Sequence, residues 1–370
     1  MAAGLYIHIP FCRSKCPYCD FYSISYQSSL AKDYVNILSK VVKKINTKID
    51  TVYIGGGTPS VLSVGFLKRL LKSIKNILES STENTIEVNP ESISKDKLIL
   101  LRGYNINRIS IGMQSLYDSK LKFLGRIHSV KEAKTAVFNA KKCGFSNISI
   151  DLIYGIPDEK LSDWKEELKQ AAALPVQHIS CYSLILEPHT RFYSLRSAID
   201  DEAVARMYLF NMWFLPRAGF SQYEVSNFSL AGFGCKHNIK YWQNLEYIGI
   251  GPSAVSFINR KRVKNVSDIK KYVNRYYAGK DQAMYTEQLS QSKYAKELAA
   301  LKIRTKEGID FGWFKTKTGF DFFDIEDRKD VYKLKKRGLL VIHKKGGADA
   351  GIHLSRKGFL FCDEVSSCFV

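Results

Sequence analysis

The sequence predicts an α/β fold built on a parallel sheet and followed by a small α+β domain, and two patterns predict it. Over the first half, short apolar runs with strand character alternate with helical stretches. A strand that reaches its neighbour only through a helix returns parallel to it, so this alternation implies crossover connections. From about Ser290 onward the order changes to helices followed by a hairpin.

Taken in order, the predicted strands are Leu5–Ile9, Thr51–Ile54, Thr85–Val88, Arg108–Gly112, Asn147–Ile153 and His178–Ile185. Between them, stretches such as Leu30–Lys44 and Leu62–Leu78 repeat Leu, Ile and Val at three- and four-residue spacing, with Lys on the other face, as amphipathic helices do. The unusual residues fall just past the strand ends: a cysteine loop after the first strand, Gly55-Gly56-Gly57-Thr58-Pro59 after the second, then Glu87, Gln114 and Asp151. In parallel α/β sheets and barrels that edge carries the active site, so five features at one end predict one site.

Beyond Ile185 the rhythm weakens into a helix over Asp200–Phe214, a loop-rich stretch containing Gly232, Gly234, Gly249 and Gly251, and a Tyr- and Lys-rich helix near Asp268–Tyr277. In the tail, helices over Ala295–Ile303 and Asp327–Arg337 lead through Gly338 to Leu339–His343, a turn at Gly346-Gly347, and Gly351–Leu354. That order resembles a winged-helix module of about 80 residues.

Composition narrows the function classes. Across 370 residues, 45% hydrophobic and 25% charged are globular values, which exclude a disordered or collagen-like chain. No stretch approaches the roughly 18 to 20 apolar residues that cross a bilayer, and the start of the chain lacks a signal-peptide pattern, so a cytoplasmic protein is expected. The balance of 56 Lys+Arg against 36 Asp+Glu gives +20, which raises nucleic acid as a partner. Residues 290–370 carry 17 Lys+Arg and 11 Asp+Glu, or +6, against about +4 for an even spread (20 × 81/370). That evenness argues against a phosphate-tracking patch.

Three of the eight cysteines are clustered: Cys12, Cys16 and Cys19 form C-x3-C-x2-C. Randomly scattered cysteines produce that spacing roughly 0.004 times per chain, so the loop is built to hold something. Structural zinc takes four ligands, and His8 is the sole His or further Cys nearby. Three soft ligands suit an iron-sulfur cluster with one iron open to a substrate. Zinc or unrelated thiols remain the alternatives.

With Tyr18 before the last cysteine, this motif resembles that of the radical S-adenosylmethionine (SAM) superfamily. The resemblance implies a partial (β/α)6 barrel, a 4Fe-4S cluster on Cys12, Cys16 and Cys19, and SAM on the open iron. Together with the changes of pattern after Ile185 and near Ser290, it gives the expected domains: 1–190 for the barrel, 191–289 for a segment covering it, and 290–370 for the winged-helix-like unit. By motif match it assigns SAM contacts to Tyr6, Tyr18, Gly56, Gly57 and Thr58. Glu87, Gln114, Arg126 and Asp151 match SAM-contacting positions of the coproporphyrinogen-oxidase-like branch, which the chain resembles along nearly its whole length. Read without that resemblance, these are polar residues at strand ends satisfying backbone groups.

That branch holds both oxygen-independent coproporphyrinogen III dehydrogenases and heme chaperones. The dehydrogenases have a longer segment before the cysteine loop and a fourth cysteine two residues after the third, where this chain has Phe21. His237-Asn238-Ile239-Lys240-Tyr241-Trp242 matches the HNxxYW motif tied to heme in the chaperones. Imidazole is a common heme ligand, and Tyr and Trp offer flat apolar surface to a porphyrin. The resemblance therefore implies a carrier that binds heme at His237, Asn238, Tyr241 and Trp242 and passes it to an acceptor protein, with an electron donor for the cluster and a possible homodimer. Porphyrin decarboxylation and radical modification of RNA are the competing functions. The other five cysteines, and His8, His128, His178, His189, His343 and His353, have no comparable sequence context.

Overall fold

The computed structural model describes residues 2–370. Six parallel strands stand side by side in chain order: β1 (Ala3–Ile9), β2 (Ile49–Gly56), β3 (Glu83–Val88), β4 (Arg108–Gln114), β5 (Asn147–Tyr154) and β6 (His178–Ser183). Each corresponds to a predicted run, and only the last is shorter at its end than expected. Helices Ser28–Val41, Val64–Ser73, Lys95–Gly103, Val130–Lys142 and Leu161–Ala172 link them. Several are started by serine caps: Ser63, Ser94 and Ser129 accept hydrogen bonds from backbone N–H groups of the first turn.

Apolar and polar residues alternate along most of each strand. Leu5, Ile7, Val52, Ile54, Ile86, Ile109, Ile111, Ile148, Ile150 and Ile179 are fully buried in the apolar core. Their neighbours in sequence are polar: Tyr6 and His8, Thr51 and Tyr53, Thr85 and Glu87, Arg108 and Ser110, Ser149 and Asp151, His178 and Ser180. Successive side chains point to opposite faces, so one face meets the helices and the other lines a polar lumen.

The sheet is wider than the βα repeat suggests. β7 (Tyr247–Ile250) adds parallel to the free side of β1, and Val255–Ile258, Lys261–Asn265 and Ala283–Gln288 continue antiparallel from it. Asn227–Ser229 and Ser221–Gln222 extend the other edge past β6. The twelve strands form one open series whose two ends do not pair, a partial barrel. The stretch read as loop around Gly249 is therefore a strand. Glycine is required there because a Cβ would lie 2.1 Å from the carbonyl oxygen of Val255.

In the tail, helix Gln291–Lys302, strand Ile309–Asp310, helices Phe311–Thr318 and Arg328–Lys336, and the hairpin Leu340–Lys345 and Ala348–Leu354 follow the winged-helix order. Helix Phe311–Thr318 was not foreseen, because its apolar residues do not fall into a helical stripe. Among the described residues no helix is long and apolar enough to cross a membrane.

Candidate functional site

The cysteine loop is pinched at its base by a two-residue ladder in which Ile24 N–H donates to Pro10 O at 2.8 Å and Tyr26 N–H to Cys12 O at 2.9 Å. This holds Cys12, Cys16 and Cys19, all half-buried free thiols, over the C-terminal ends of the strands. They line a cavity of about 460 Å³ together with Tyr18, Gly56, Gly57, Thr58, Glu87, Gln114, Arg126, Asp151 and Asn238. The cysteine loop, the glycine stretch, Glu87, Gln114 and Asp151 thus meet at one end, as the βα repeat predicted, and Arg126 and Asn238 join them.

The glycines are explained by packing. Gly56 has φ +114°, and a Cβ on it would meet the His8 ring at 2.7 Å; one on Gly57 would lie 2.8 Å from Phe11 O and 3.0 Å from Cys12 Sγ. The bare backbone therefore lets the second strand's loop press against the cysteine loop. Gln114 sits at a bulge ending β4 with φ +62°, a left-handed conformation that aims a non-glycine residue into the cavity.

Two acids face one another across the lumen. Glu87 accepts from Tyr53 Oη at 2.7 Å and Gly56 N at 3.1 Å, and burial raises its carboxyl to about 7 despite those bonds. Asp151 accepts from Ser110 Oγ at 3.2 Å and is likewise raised, chiefly by burial. Arg126 Nη1 reaches Cys16 Sγ at 3.5 Å and Thr58 Oγ1 reaches Cys12 Sγ at 3.6 Å. A guanidinium and a hydroxyl donor beside two sulfurs suit thiolate ligands. Buried Nε atoms of Arg108 and Arg126 have no hydrogen-bond partner. Three thiols beside a cavity with spare donors, and acids for a cationic group, fit a cluster with SAM.

Other expected residues lie elsewhere. Tyr6 donates toward His8 Nδ1 at 3.0 Å and does not line the cavity. His8 Nε2 is 3.0 Å from Tyr22 O, so both its ring nitrogens are engaged. His237 is fully buried at the base of the lumen, in the first turn of helix Lys236–Trp242. Its Nδ1 pairs with Thr51 Oγ1 at 2.9 Å and its Nε2 with Tyr241 Oη at 3.0 Å, while its ring lies 5.4 Å from that of Tyr53. Burial lowers it to about 3, so it is neutral. Glu83 accepts from the N–H groups of Lys236 and His237, both at 3.0 Å, and so anchors the helix. Tyr241 lines a second cavity of about 410 Å³ with Tyr247, Arg262 and Arg304. Arg304 lies over Trp242, 5.4 Å from its ring centre, and the Trp242 Nε1 is buried without a partner. The motif is thus divided: Asn238 reaches the first cavity, Tyr241 the second, and His237 neither.

Sequence reasoning missed Tyr53, Asn89, Arg108, Ser110, His178 and Ser180, all of which line the first cavity. Among the histidines without sequence context, His178 is the exception, held between Ser149 Oγ at 2.8 Å and Tyr223 Oη at 2.9 Å. Their signal was available as the polar partner in each strand's alternation.

Comparison with known proteins agrees with this arrangement. The radical SAM superfamily model matches residues 6–171. A heme chaperone, HemW, of Bacillus subtilis is 34% identical, over 99% of this chain and 98% of its own. The chain belongs to the HemW family. The Lactococcus lactis HemW is 35% identical over 99% of this chain and 96% of its own, and the Escherichia coli HemW 39% identical over 68% and 69%. In fold, the chain is similar to Escherichia coli coproporphyrinogen III oxidase, HemN, described as a radical SAM enzyme, with a TM-score of 0.84 at 22% identity, covering all of this chain and 90% of that one. Membership of the HemW family within this superfamily implies a 4Fe-4S cluster and SAM.

Proposed function

We propose that this chain is a heme chaperone: it binds heme, holds a SAM-ligated 4Fe-4S cluster at the lumen mouth, and hands heme to an acceptor protein. The observation that carries the reading is the end-to-end match to HemW of Bacillus subtilis. Cys12, Cys16 and Cys19 hold the cluster, and Tyr18, Gly56, Gly57, Thr58, Glu87, Gln114, Arg126 and Asp151 form the SAM site, which Tyr6, turned toward His8 and away from the cavity, does not join. Bound there, the cluster would supply a binding position for SAM and reducing chemistry toward its sulfonium. This chain's side chains orient and shield: Arg126 and Thr58 direct protons at two sulfurs, and Glu87 and Asp151 offer acceptors to cationic and hydroxyl groups.

Heme is held by the HNxxYW segment. Support comes from Tyr241, which opens on a cavity lined by Arg262 and Arg304; Arg262 is paired with Glu287 and Glu297 and Arg304 with Asp363, so propionates would bind there by exchange with these carboxylates. For the His237 Nε2 to meet iron, the Tyr241 hydroxyl must first release it. The protein works in the cytoplasm with an electron donor and a heme acceptor, and as a possible homodimer. The six βα strands of the barrel lie before residue 190, residues 191–289 add further strands to both edges of its sheet where a cover was expected, and 290–370 form the winged-helix-like unit.

The test is anaerobic reconstitution, with heme and coproporphyrinogen III offered in parallel in the presence of SAM. Stoichiometric heme binding, weakened in His237→Ala, and transfer to an apo-hemoprotein are expected. Formation of protoporphyrinogen IX, or absence of heme binding, overturns the reading.

A further inference from the structure

Asn89, one residue past β3, joins the two sulfur donors. Its Nδ2 donates to Thr58 Oγ1 at 2.9 Å, and its Oδ1 accepts from Arg126 Nη2 at 2.8 Å. The amide's orientation follows from chemistry, because a guanidinium only donates and must face the oxygen. With Thr58 accepting from the amide, its single proton is directed to Cys12 Sγ at 3.6 Å. With Nη2 fixed on Asn89 and on Gly112 O at 3.1 Å, the rigid guanidinium fork points Nη1 at Cys16 Sγ. One amide thus fixes the donors to two of the three thiols.

The amide is itself held. Asn89 N–H donates to Ser60 Oγ at 3.1 Å, Ser60 Oγ pairs with Ser92 Oγ at 2.6 Å, and the buried Lys97 Nζ donates to the carbonyl oxygens of Ser60 and Ser92 at 2.5 and 2.8 Å. Gly112 is bare where a Cβ would lie 2.6 Å from Asn89 Oδ1. The Cys19 sulfur has no counterpart to these side-chain donors among the described residues.

Hydrogen bonds to ligating sulfurs stabilise the more negative, reduced state of a cluster and raise its potential. We propose that Asn89 is a positioning residue that sets the cluster's reduction potential through Thr58 and Arg126, an inference that rests on the three cysteines being its ligands. The test is an EPR-monitored redox titration of the reconstituted protein without SAM, with iron and sulfide counted on the same samples. Asn89→Ala is expected to keep the cluster, lower its midpoint potential and change the g-values of the reduced state. Thr58→Val is expected to lower it less, and the double variant to fall short of the sum, since part of the Asn89 effect passes through Thr58. If Asn89→Ala does not assemble a cluster, Asn89→Leu replaces it: a neutral side chain of nearly the same shape neither donates to Thr58 nor accepts from Arg126, and a lowered potential is again expected. Potentials equal to the parent's in Thr58→Val and the assembled Asn89 variant overturn the inference. A parent chain that assembles no cluster overturns the ligand assignment instead.

Discussion

At the mouth of the lumen, Glu87, Asp151, Gln114 and Arg126 border open volume and keep hydrogen-bonding capacity to spare; at its base, His237, Glu83 and Thr51 satisfy one another with no cavity between them. The residue types are similar, and the difference lies in what has been left unpaired. The mouth is built for a guest, while the base is built to hold a seven-residue helix in place. His237 of the HNxxYW motif belongs to the base, so whatever it does for heme begins from a closed state, although Asn238 and Tyr241 border the two cavities.

The sharpest way to break this contrast is to remove a cysteine. Cys12→Ala, Cys16→Ala and Cys19→Ala are each expected to abolish iron-sulfur absorption, while the apo-protein unfolds within about 0.5 kcal/mol of the parent, because these free, half-buried thiols pack no core. Absorption retained in any one of them would remove that residue from the ligand set. At the base the opposite balance holds. Glu83→Ala strands the N–H groups of Lys236 and His237 in a buried setting and is expected to cost about 3 kcal/mol in urea unfolding, with the cluster still assembled. A loss of cluster in the folded variant would show that base and mouth are not independent.

Acid–base behaviour separates the two ends by sign. Glu87 is raised to about 7 from an ordinary 4.5, chiefly by burial, so the folded state holds a proton the unfolded chain releases. Its contribution to stability falls as pH rises from about 4.5 to about 7. His237 is lowered from 6.5 to about 3 by burial, so the unfolded chain takes a proton the folded state refuses. Its contribution is lost as pH falls from about 6.5 to about 3. Each has a slope of at most about 1.4 kcal/mol per pH unit, and the two oppose one another between about 4.5 and 6.5. Relative to the parent, Glu87→Gln is expected to lose stability toward acid across that overlap, and His237→Gln to lose it toward neutral pH. Parallel pH profiles for the two variants would contradict the contrast.

How far the sequence revealed each end follows from the same physics. The mouth was legible because its residues cluster in short motifs past strand ends, where spacing and chemistry can be read locally. Tyr53, Arg108 and His178 were not, because each reads as one polar residue within or at the start of an apolar strand; their convergence depends on the strands' register. β7 was missed for a different reason. Gly249 reads as loop in sequence, whereas in the sheet its hydrogen side chain admits the backbone of Val255. Tyr241 lies four residues after His237, a spacing that places both on one helix face, yet the sequence is silent on the bond that closes the imidazole.

That bond yields the smallest expected effect and the one that most directly tests how a closed base can serve heme. Tyr241→Phe removes the hydroxyl from His237 Nε2 and keeps the ring that lines the second cavity. The apo-protein is expected to lose about 1 kcal/mol, the ordinary net worth of such a bond. If His237 supplies the iron ligand, the hydroxyl is its competitor, and without it heme should bind about fivefold more tightly, the equivalent of the same 1 kcal/mol. If the tyrosine oxygen is what heme needs, affinity falls while His237→Gln leaves it intact. Absorption titrations of the two variants, read side by side, decide which atom of the pair meets the iron, because the two assignments predict changes of opposite sign.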